Sequence, residues 1–224
     1  MKRWRSDVAA VLFDLDGTLI DSAPDLAGAA NEMRLLRGLP SLAIELLRPH
    51  AGSGARGMLA TAFGVAPSDP SYEDLRQEFY RLYEARMLQE TYVFAAIVPV
   101  LDALDAHGLP WGIVTNKALR FAEPQARVLG FIPRAKALIG GDSTAFTKPH
   151  PEPLLEAARR IGHPARACIY VGDDPRDMRA GRAAGMTTLA AAWGYLGVEG
   201  PIADWDADHV LDEPAMLLHW LDLA

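Results

Sequence analysis

The chain has 224 residues with a formal net charge of −7 at pH 7, and half of its residues are apolar. This length allows one large domain or a core with a smaller second domain, and the apolar fraction argues against a disordered chain. The negative charge argues against nucleic acid as the main partner.

Six apolar runs predict buried strands. They are residues 8–13, 111–115, 137–139, 167–171 and 187–191, with a weaker run at 209–211. Helical patterns lie between most of them, at 98–108, 120–130, 151–162 and 175–185. Strand alternating with helix predicts an α/β fold with a parallel sheet that is covered on both faces.

One interval interrupts this alternation. Residues 22–93 are mainly helical in pattern, with apolar residues three and four positions apart in 24–38 and 72–90. Because the interval is long for a single crossover, we expect a helical cap domain at 22–93, inserted between core segments 1–21 and 94–224. The alternative is an ordinary crossover with decorated loops. Hinges are expected near 21–23 and 91–95.

A glycine-rich stretch inside this interval, GSGARG at 52–57, fits a dinucleotide-binding pattern. The segment before it has the pattern of a helix and a loop rather than of a strand, which argues against a dinucleotide site. We expect a glycine-rich turn of the cap that faces the active site. Arg56 then either meets an anionic group of the substrate or is an ordinary surface arginine.

Polar and charged residues follow four of the predicted strands. Asp14 and Asp16 follow the first strand, Thr115 and Asn116 the second, Lys148 the third, and Asp173 and Asp177 the fourth. Ligands bind beyond the carboxyl ends of the strands in an open parallel sheet, so we expect these residues at one edge. Acids with a lysine and a hydroxyl favour Mg²⁺ beside a phosphate group. Each piece alone also fits a turn or a helix cap, and the prediction rests on their joint placement.

The four segments resemble the four motifs of the haloacid dehalogenase superfamily of phosphohydrolases. DLDGT at 14–18 is similar to the first motif, Asp-x-Asp-Gly-Thr, and GDDPRD at 172–177 is similar to the fourth. Thr115 and Lys148 match the second and third motifs. The resemblance spans nearly the whole core and implies a Rossmann-like core, and the helical interval resembles the smaller cap type of the superfamily.

The resemblance implies a role for each matching residue. Asp14 is implied as the nucleophile that forms an aspartyl-phosphate, and Asp16 as the general acid and then the general base. Thr115 and Lys148 are implied as ligands of phosphoryl oxygens. We also expect their neighbour Asn116 in the substrate-binding set.

A magnesium site is implied by the same resemblance. Its ligands are expected to be the Asp14 carboxylate, the Asp16 backbone carbonyl and Asp173, with Asp177 supporting the metal directly or through water. Dehalogenases of the superfamily lack the second acid of the first motif, since a halide leaving group needs no proton. The presence of Asp16 therefore favours phosphate chemistry.

Two groups of phosphatases resemble the chain within the superfamily. Phosphoglycolate phosphatases are similar in length, cap type and the stretch KPHPEP (148–153), and N-acetylmuramic acid 6-phosphate phosphatases in WGIVTNK (111–117) and GARGM (54–58). We expect a Mg²⁺-dependent hydrolase of a small phosphorylated metabolite, phosphoglycolate phosphatase-like in the first place. The alternatives are an N-acetylmuramic acid 6-phosphate phosphatase, a sugar phosphomutase and a non-catalytic metabolite-binding protein.

The single cysteine, Cys168, lies in the apolar run ACIYV, where we expect a buried core residue. One cysteine excludes a disulfide framework within the chain and fits a reducing cytoplasm. We expect no export signal in the basic start, and no apolar run approaches the length that spans a bilayer. We therefore expect a soluble, cytoplasmic monomer or homodimer without a membrane or nucleic-acid partner.

Overall fold

The computed structural model describes residues 7–223, so residues 1–6 and Ala224 of the predicted core segments lie outside it. The strands are β1 (Ala10–Phe13), β2 (Ile20–Asp21), β3 (Tyr92–Val93), β4 (Trp111–Val114), β5 (Leu138–Ile139), β6 (Cys168–Gly172), β7 (Thr187–Ala191) and β8 (His209–Leu211). The helices are α1 (Ala23–Leu36), α2 (Ile44–Leu47), α3 (Gly54–Phe63), α4 (Tyr72–Arg86), α5 (Val98–His107), α6 (Leu119–Val128), α7 (Glu152–Ile161), α8 (Pro175–Ala183) and α9 (Met216–Trp220). Within residues 7–223, no helix has both the length and the apolarity to cross a membrane.

Six of the strands form one parallel sheet in the order β5-β4-β1-β6-β7-β8. The central strand is β1, where Val11 pairs with Trp111 of β4 on one side and with Ile169 of β6 on the other. All four residues of β1 are buried, as expected for a strand that is covered on both faces. The predicted α/β fold with a parallel sheet is therefore confirmed, and each predicted apolar run contains a strand.

The single cysteine opens β6 and is buried. Burial raises the pKa of the Cys168 thiol to about 11, so very little thiolate exists near neutral pH. The prediction of a core residue rather than a reactive thiol is confirmed.

Four helices lie between the short strands β2 and β3, and we call α1 to α4 (residues 23–86) the helical insert. The two strands pair antiparallel, with Ile20 opposite Val93. Met33, Met58 and Phe79 of the insert are fully buried in an apolar cluster that also includes Phe121 of α6 and Tyr195 of the core. The insert therefore packs against the core as well as within itself, and the two-stranded ribbon joins it to the core. The division into core and cap domains stays a prediction.

The glycine-rich segment differs from the turn that its sequence suggested. Residues 48–53 form a 3₁₀ helix, and Gly54 begins α3, so GSGARG spans a junction of two helices. Gly57 lies inside α3. Glycine is needed there because a Cβ atom would come within 2.4 Å of the His50 carbonyl oxygen. A residue that suggested a turn therefore permits close packing of two helical segments instead.

Candidate active site

A cavity of about 160 Å³ lies between the carboxyl edge of the sheet and the helical insert. Its lining on the sheet side includes most of the predicted residues, namely Asp14, Asp16, Thr115, Asn116, Lys148 and Asp177. The insert contributes Leu26, Phe79, Tyr80, Tyr83 and the segment 51–55. The fold thus brings together residues that are up to 163 positions apart in the chain, between Asp14 and Asp177.

Lys148 organises the floor of this cavity. Its side chain is only 3% exposed, and Nζ lies 2.9 Å from Asp14 Oδ1 and 2.7 Å from Asp177 Oδ1. The same ammonium group donates to the Tyr170 hydroxyl at 2.9 Å. One buried cation therefore offsets part of the charge of two buried acids. Without such a partner, an ionised carboxylate buried here would be strongly unfavourable.

Three acids of the floor form a set with the spacing of a metal site. Asp14, Asp173 and Asp177 each offer a carboxylate oxygen, and these oxygens lie within 4.8 Å of one another. Asp173 is held from two sides, by the Thr18 hydroxyl at 2.8 Å and by the Tyr195 backbone N–H at 2.8 Å. Clustered carboxylate oxygens are the ligands that Mg²⁺ and similar hard cations prefer.

Burial perturbs all three acids in one direction. It raises the pKa of Asp173 well above the ordinary value, and the charges of Asp14 and Asp177 add to this effect. For Asp177, burial raises the pKa to about 7 although Lys148 opposes the change. The pKa of Asp14 is raised as well, since burial outweighs the opposing charge of Lys148. A divalent cation among these acids would compensate the same charges, so the set fits a metal.

The two carboxylates of DLDGT have different partners. Asp14 Oδ1 accepts from Lys148 and from the Leu15 N–H at 2.7 Å, whereas Asp16 Oδ1 lies 2.5 Å from Lys117 Nζ and accepts from the Ser22 hydroxyl. The chain turns at Gly17, between Asp16 and Thr18, where φ is +83°. A Cβ atom on Gly17 would lie 2.1 Å from Asp173 Oδ2, so only glycine fits here.

The second motif supports the site in two ways. Thr115 is buried, lines the cavity and accepts the Lys117 backbone N–H at 3.1 Å, which keeps its hydroxyl proton available. The Asn116 amide lines the cavity but bonds both backbone groups of Lys148, donating to the carbonyl and accepting from the N–H at 2.9 Å each. Its amide thus holds the Lys148 segment in place, and a direct contact of Asn116 with the substrate stays a prediction.

Arg56, the remaining predicted residue, lies exposed on α3 and is not among the described residues that line the cavity. The helix that begins at Gly54 carries its side chain outward, while Gly52, Ser53 and Gly54 line the cavity. The predicted orientation of the glycine-rich segment toward the site is thus observed, although its arginine points elsewhere.

Several polar contacts around the cavity had no distinct signal in the sequence. Lys117 bonds Tyr83 of α4 and Gln125 of α6 as well as Asp16. Burial alone would lower the pKa of Lys117, but the charge of Asp16 and the contact with Tyr83 outweigh it and raise the pKa. Arg176 pairs with Asp174 at 2.7 Å and donates to the Gly52 carbonyl of the insert at 2.8 Å. The contacts of Lys117 with Tyr83 and of Arg176 with Gly52 join elements that only the folded chain brings together.

The ribbon that joins insert and core has its own polar cluster. The Tyr195 hydroxyl accepts the backbone N–H groups of Ser22 and Ala23 at 2.8 and 3.0 Å and donates to Asp21 Oδ1 at 3.2 Å. Asp21 is buried and pairs on its other oxygen with Arg48 at 2.8 Å. These contacts lie where hinges were expected, and the hinge function itself stays a prediction.

Known proteins are similar to the chain over nearly its whole length. A family model described as haloacid dehalogenase-like hydrolase matches residues 8–185. A phosphoglycolate phosphatase of Xanthomonas campestris pv. campestris is 47% identical over 209 residues, which is 93% of this chain and 94% of the relative. An N-acetylmuramic acid 6-phosphate phosphatase of Pseudomonas aeruginosa is 42% identical and covers 100% of this chain and 98% of its own.

A solved structure agrees with the sequence relatives. A protein from Haemophilus somnus, described as a predicted phosphoglycolate phosphatase, superposes with a TM-score of 0.84 at 26% identity. The alignment covers 96% of this chain and 98% of the other. The similarity therefore includes the helical insert as well as the sheet.

Proposed function

Since the chain belongs to the haloacid dehalogenase-like hydrolase family and its relatives are phosphatases, we propose that it is a Mg²⁺-dependent phosphomonoester hydrolase. It acts on a small phosphorylated metabolite through an aspartyl-phosphate intermediate. The observation that carries the proposal is the pair of Asp14 and Lys148 at 2.9 Å, buried beside two further acids at the edge of the sheet. The helical insert is proposed to serve as a cap domain.

Asp14 is proposed as the nucleophile. Its Oδ1 is bonded to Lys148 and to the Leu15 N–H, and within residues 7–223 no hydrogen-bond partner is found for Oδ2. Oδ2 attacks phosphorus as the bond to the leaving oxygen breaks, which gives the aspartyl-phosphate. Lys148 and the Thr115 hydroxyl bind phosphoryl oxygens, and Asn116 positions Lys148 through its backbone.

Asp16 is proposed as the general acid and base. It gives its proton to the leaving oxygen in the first step and takes one from the attacking water in the second, so it ends the cycle as it began. Its Oδ1 is bonded to Lys117 and Ser22, which differ from the partners of the Asp14 carboxylate. The two acids of DLDGT can therefore take different roles in the first step, Asp14 as nucleophile and Asp16 as acid.

A magnesium ion is proposed among Asp14, Asp173 and Asp177, with the Asp16 backbone carbonyl as a further ligand. When bound, it neutralises negative charge on the phosphoryl group and fixes its oxygens for attack. Asp177 is proposed to support the metal directly or through water, while it also pairs with Lys148.

The substrate is proposed from the relatives, whose names differ. Phosphoglycolate is the first candidate, because the Xanthomonas relative of that name is 47% identical. N-acetylmuramic acid 6-phosphate is the second, since the Pseudomonas relative matches the whole chain. The aromatic side chains Phe79, Tyr80 and Tyr83 in the cavity favour a leaving group with an apolar face and support the second candidate. A cytoplasmic location is proposed for either.

A phosphate-release assay tests the proposal. Purified protein with Mg²⁺ should release inorganic phosphate from phosphoglycolate, from N-acetylmuramic acid 6-phosphate or from both. Asp14→Asn should lower kcat by about 10⁴-fold or more, because no other group replaces the nucleophile. Prior treatment with EDTA should abolish turnover until Mg²⁺ is restored.

Four outcomes contradict parts of the proposal. Near-normal turnover by Asp14→Asn removes the nucleophile assignment, and full activity in EDTA removes the metal. Transfer of phosphate to a second sugar position without release identifies a phosphomutase. Tight binding of a phosphate ester without turnover identifies a metabolite-binding protein.

A further inference from the structure

We propose that Lys117 is a positioning residue that fixes the orientation of Asp16 and makes it depend on the docking of the helical insert. This inference rests on the proposed role of Asp16 as the general acid. Lys117 lies two residues after Thr115 of the second motif. Among the contacts of residues 7–223, its ammonium group has none with the proposed metal ligands Asp14, Asp173 and Asp177.

The Lys117 ammonium group has a complete set of acceptors. Nζ lies 2.5 Å from Asp16 Oδ1, 2.7 Å from Gln125 Oε1 and 2.9 Å from the Tyr83 hydroxyl. An ammonium group has three N–H donors, and each has an acceptor here. Its side chain is 7% exposed. Because its acceptors come from three elements and include the Asp16 carboxylate, the geometry fits a positioning role toward that acid.

The three acceptors belong to three different parts of the molecule. Asp16 follows β1 of the core, Gln125 lies on α6, and Tyr83 lies on α4 of the insert. Gln125 Nε2 also donates to the Tyr83 hydroxyl at 3.1 Å and to the Met87 carbonyl at 2.8 Å. If α4 moved away from the core, Lys117 would lose one acceptor and Gln125 would lose two.

The position of the Tyr83 hydroxyl is itself fixed by packing. The Tyr83 ring stacks on Phe79, with centroids 6.1 Å apart, and meets Phe121 of α6 edge-on at 5.5 Å. The side chain is 2% exposed. The hydroxyl therefore reaches Lys117 only when α4 packs against α6. The hydrogen bond from the ammonium group to Tyr83 thus depends on that packing.

The orientation of Asp16 decides which of its oxygens exchanges a proton. Lys117 and the Ser22 hydroxyl both bond Oδ1, and within residues 7–223 no partner is found for Oδ2. Oδ2 then donates its proton to the leaving oxygen as the phosphorus–oxygen bond breaks, and it takes a proton from water in the second step. Lys117 keeps the carboxyl group turned so that Oδ2 remains toward the cavity, which Asp16 lines.

Two substrates of one shape test this inference. Phenyl phosphate and p-nitrophenyl phosphate are similar in size, but phenolate needs a proton on leaving far more than p-nitrophenolate does. Lys117→Met should lower kcat for phenyl phosphate about 10-fold more than kcat for p-nitrophenyl phosphate, because misplacing an acid forfeits part of its contribution of about 10²–10⁴-fold. Lys136→Met, which removes an exposed lysine, should leave both rates unchanged.

The insert side of the inference has its own pair of variants. Tyr83→Phe removes the hydroxyl and keeps the ring, and it should show the same preference between substrates at about 3-fold or more. Tyr72→Phe removes a hydroxyl from the same helix, away from Lys117, and should show none. Tyr83→Phe also preserves the test if Lys117→Met does not fold.

Asp16→Asn separates this inference from the proposed function. It should show the largest preference for p-nitrophenyl phosphate. If Asp16→Asn shows no preference, the general-acid role fails and Lys117 has nothing to position. If Asp16→Asn shows it and Lys117→Met lowers both rates equally, only the Lys117 inference is overturned. If Lys117→Met shows it and Tyr83→Phe does not, the dependence on insert docking is overturned.

Discussion

The floor and the wall of the cavity are built from opposite kinds of side chain. The floor carries the ion pairs of Lys148 with Asp14 and Asp177, all three nearly withdrawn from water. The wall on the insert side is aromatic, where Tyr80 packs against Phe121 of α6 at 5.4 Å. Buried charges oppose folding unless they are paired, whereas buried rings stabilise it. The floor, where the proposed chemistry takes place, is therefore costly in stability, and the wall adds stability and lines the opposite side of the cavity.

If this division holds, changes in the floor should affect every substrate equally. Lys148→Met should lower kcat/KM about 10³-fold for phosphoglycolate and for larger phosphate esters alike, since it removes a cation from the transferring phosphoryl group. It should also lower the free energy of unfolding by about 3 kcal/mol without metal, because Asp14 and Asp177 lose their partner. Steady-state kinetics and urea unfolding measure the two effects.

Lys136→Met is the matched control, because it removes the charge of an exposed lysine. It should change stability by less than about 0.5 kcal/mol. A Lys148→Met enzyme that loses one substrate and keeps another would break the comparison, since the floor would then take part in selection.

The crowding of acids in the floor predicts how pH and metal act together. The pKa values of Asp14, Asp173 and Asp177 are raised in the folded protein, that of Asp177 to about 7. The folded state thus binds protons more tightly than the unfolded state. Its contribution to stability is present below the ordinary aspartate pKa and is lost as pH rises through the raised values. The metal-free protein should therefore lose stability between about pH 4 and pH 7.

Magnesium should reverse that trend, because it binds the ionised acids and competes with protons. The difference in melting temperature between Mg²⁺ and EDTA should grow from near zero at pH 5 to about 5–10 °C at pH 8, at a metal concentration about 100-fold above Kd. Differential scanning fluorimetry measures it. A difference that is constant with pH would show that these acids do not bind the metal.

The wall should respond with the smallest and most selective effect. Tyr80→Ala removes one aromatic face from the cavity and should raise KM about 5-fold for N-acetylmuramic acid 6-phosphate, equivalent to about 1 kcal/mol of lost contact. KM for phosphoglycolate, which has no ring to pack, should change less than about 2-fold. Tyr80→Phe keeps the ring and serves as the control. Equal changes for both substrates would remove the wall from selection.

The residues of the floor could be predicted from the sequence, because the carboxyl ends of parallel strands lie at one edge of the sheet. Asp14, Thr115 and Asp173 each follow an apolar run, and the topology alone predicts that such positions meet. Lys148 follows β5 after a longer loop and was found in the same way. The physical rule links local pattern to position, so no knowledge of the side-chain packing was needed.

The wall was not accessible, because its residues look like ordinary helix-core positions. Tyr83 lies in an amphipathic stretch and differs from its neighbours only by its contact with Lys117 across the boundary of the insert. The glycines of 52–57 suggested a turn, since nothing in the local pattern reveals that α3 packs closely on the segment before it. The sequence left Arg56 open between a substrate contact and a surface position, because the start of α3 sets which way each side chain points.

Tyr195 aligns the two halves of the site. Its backbone N–H holds Asp173 of the floor, and its ring oxygen receives the first amide groups of α1, where the insert begins. The position of Asp173 in the floor and the start of the insert are therefore both fixed by hydrogen bonds to one residue. A drift of this loop would displace the floor and the attachment of the insert together and preserve their mutual alignment. The alignment of the floor with the insert thus depends on a residue that lies outside all four motifs.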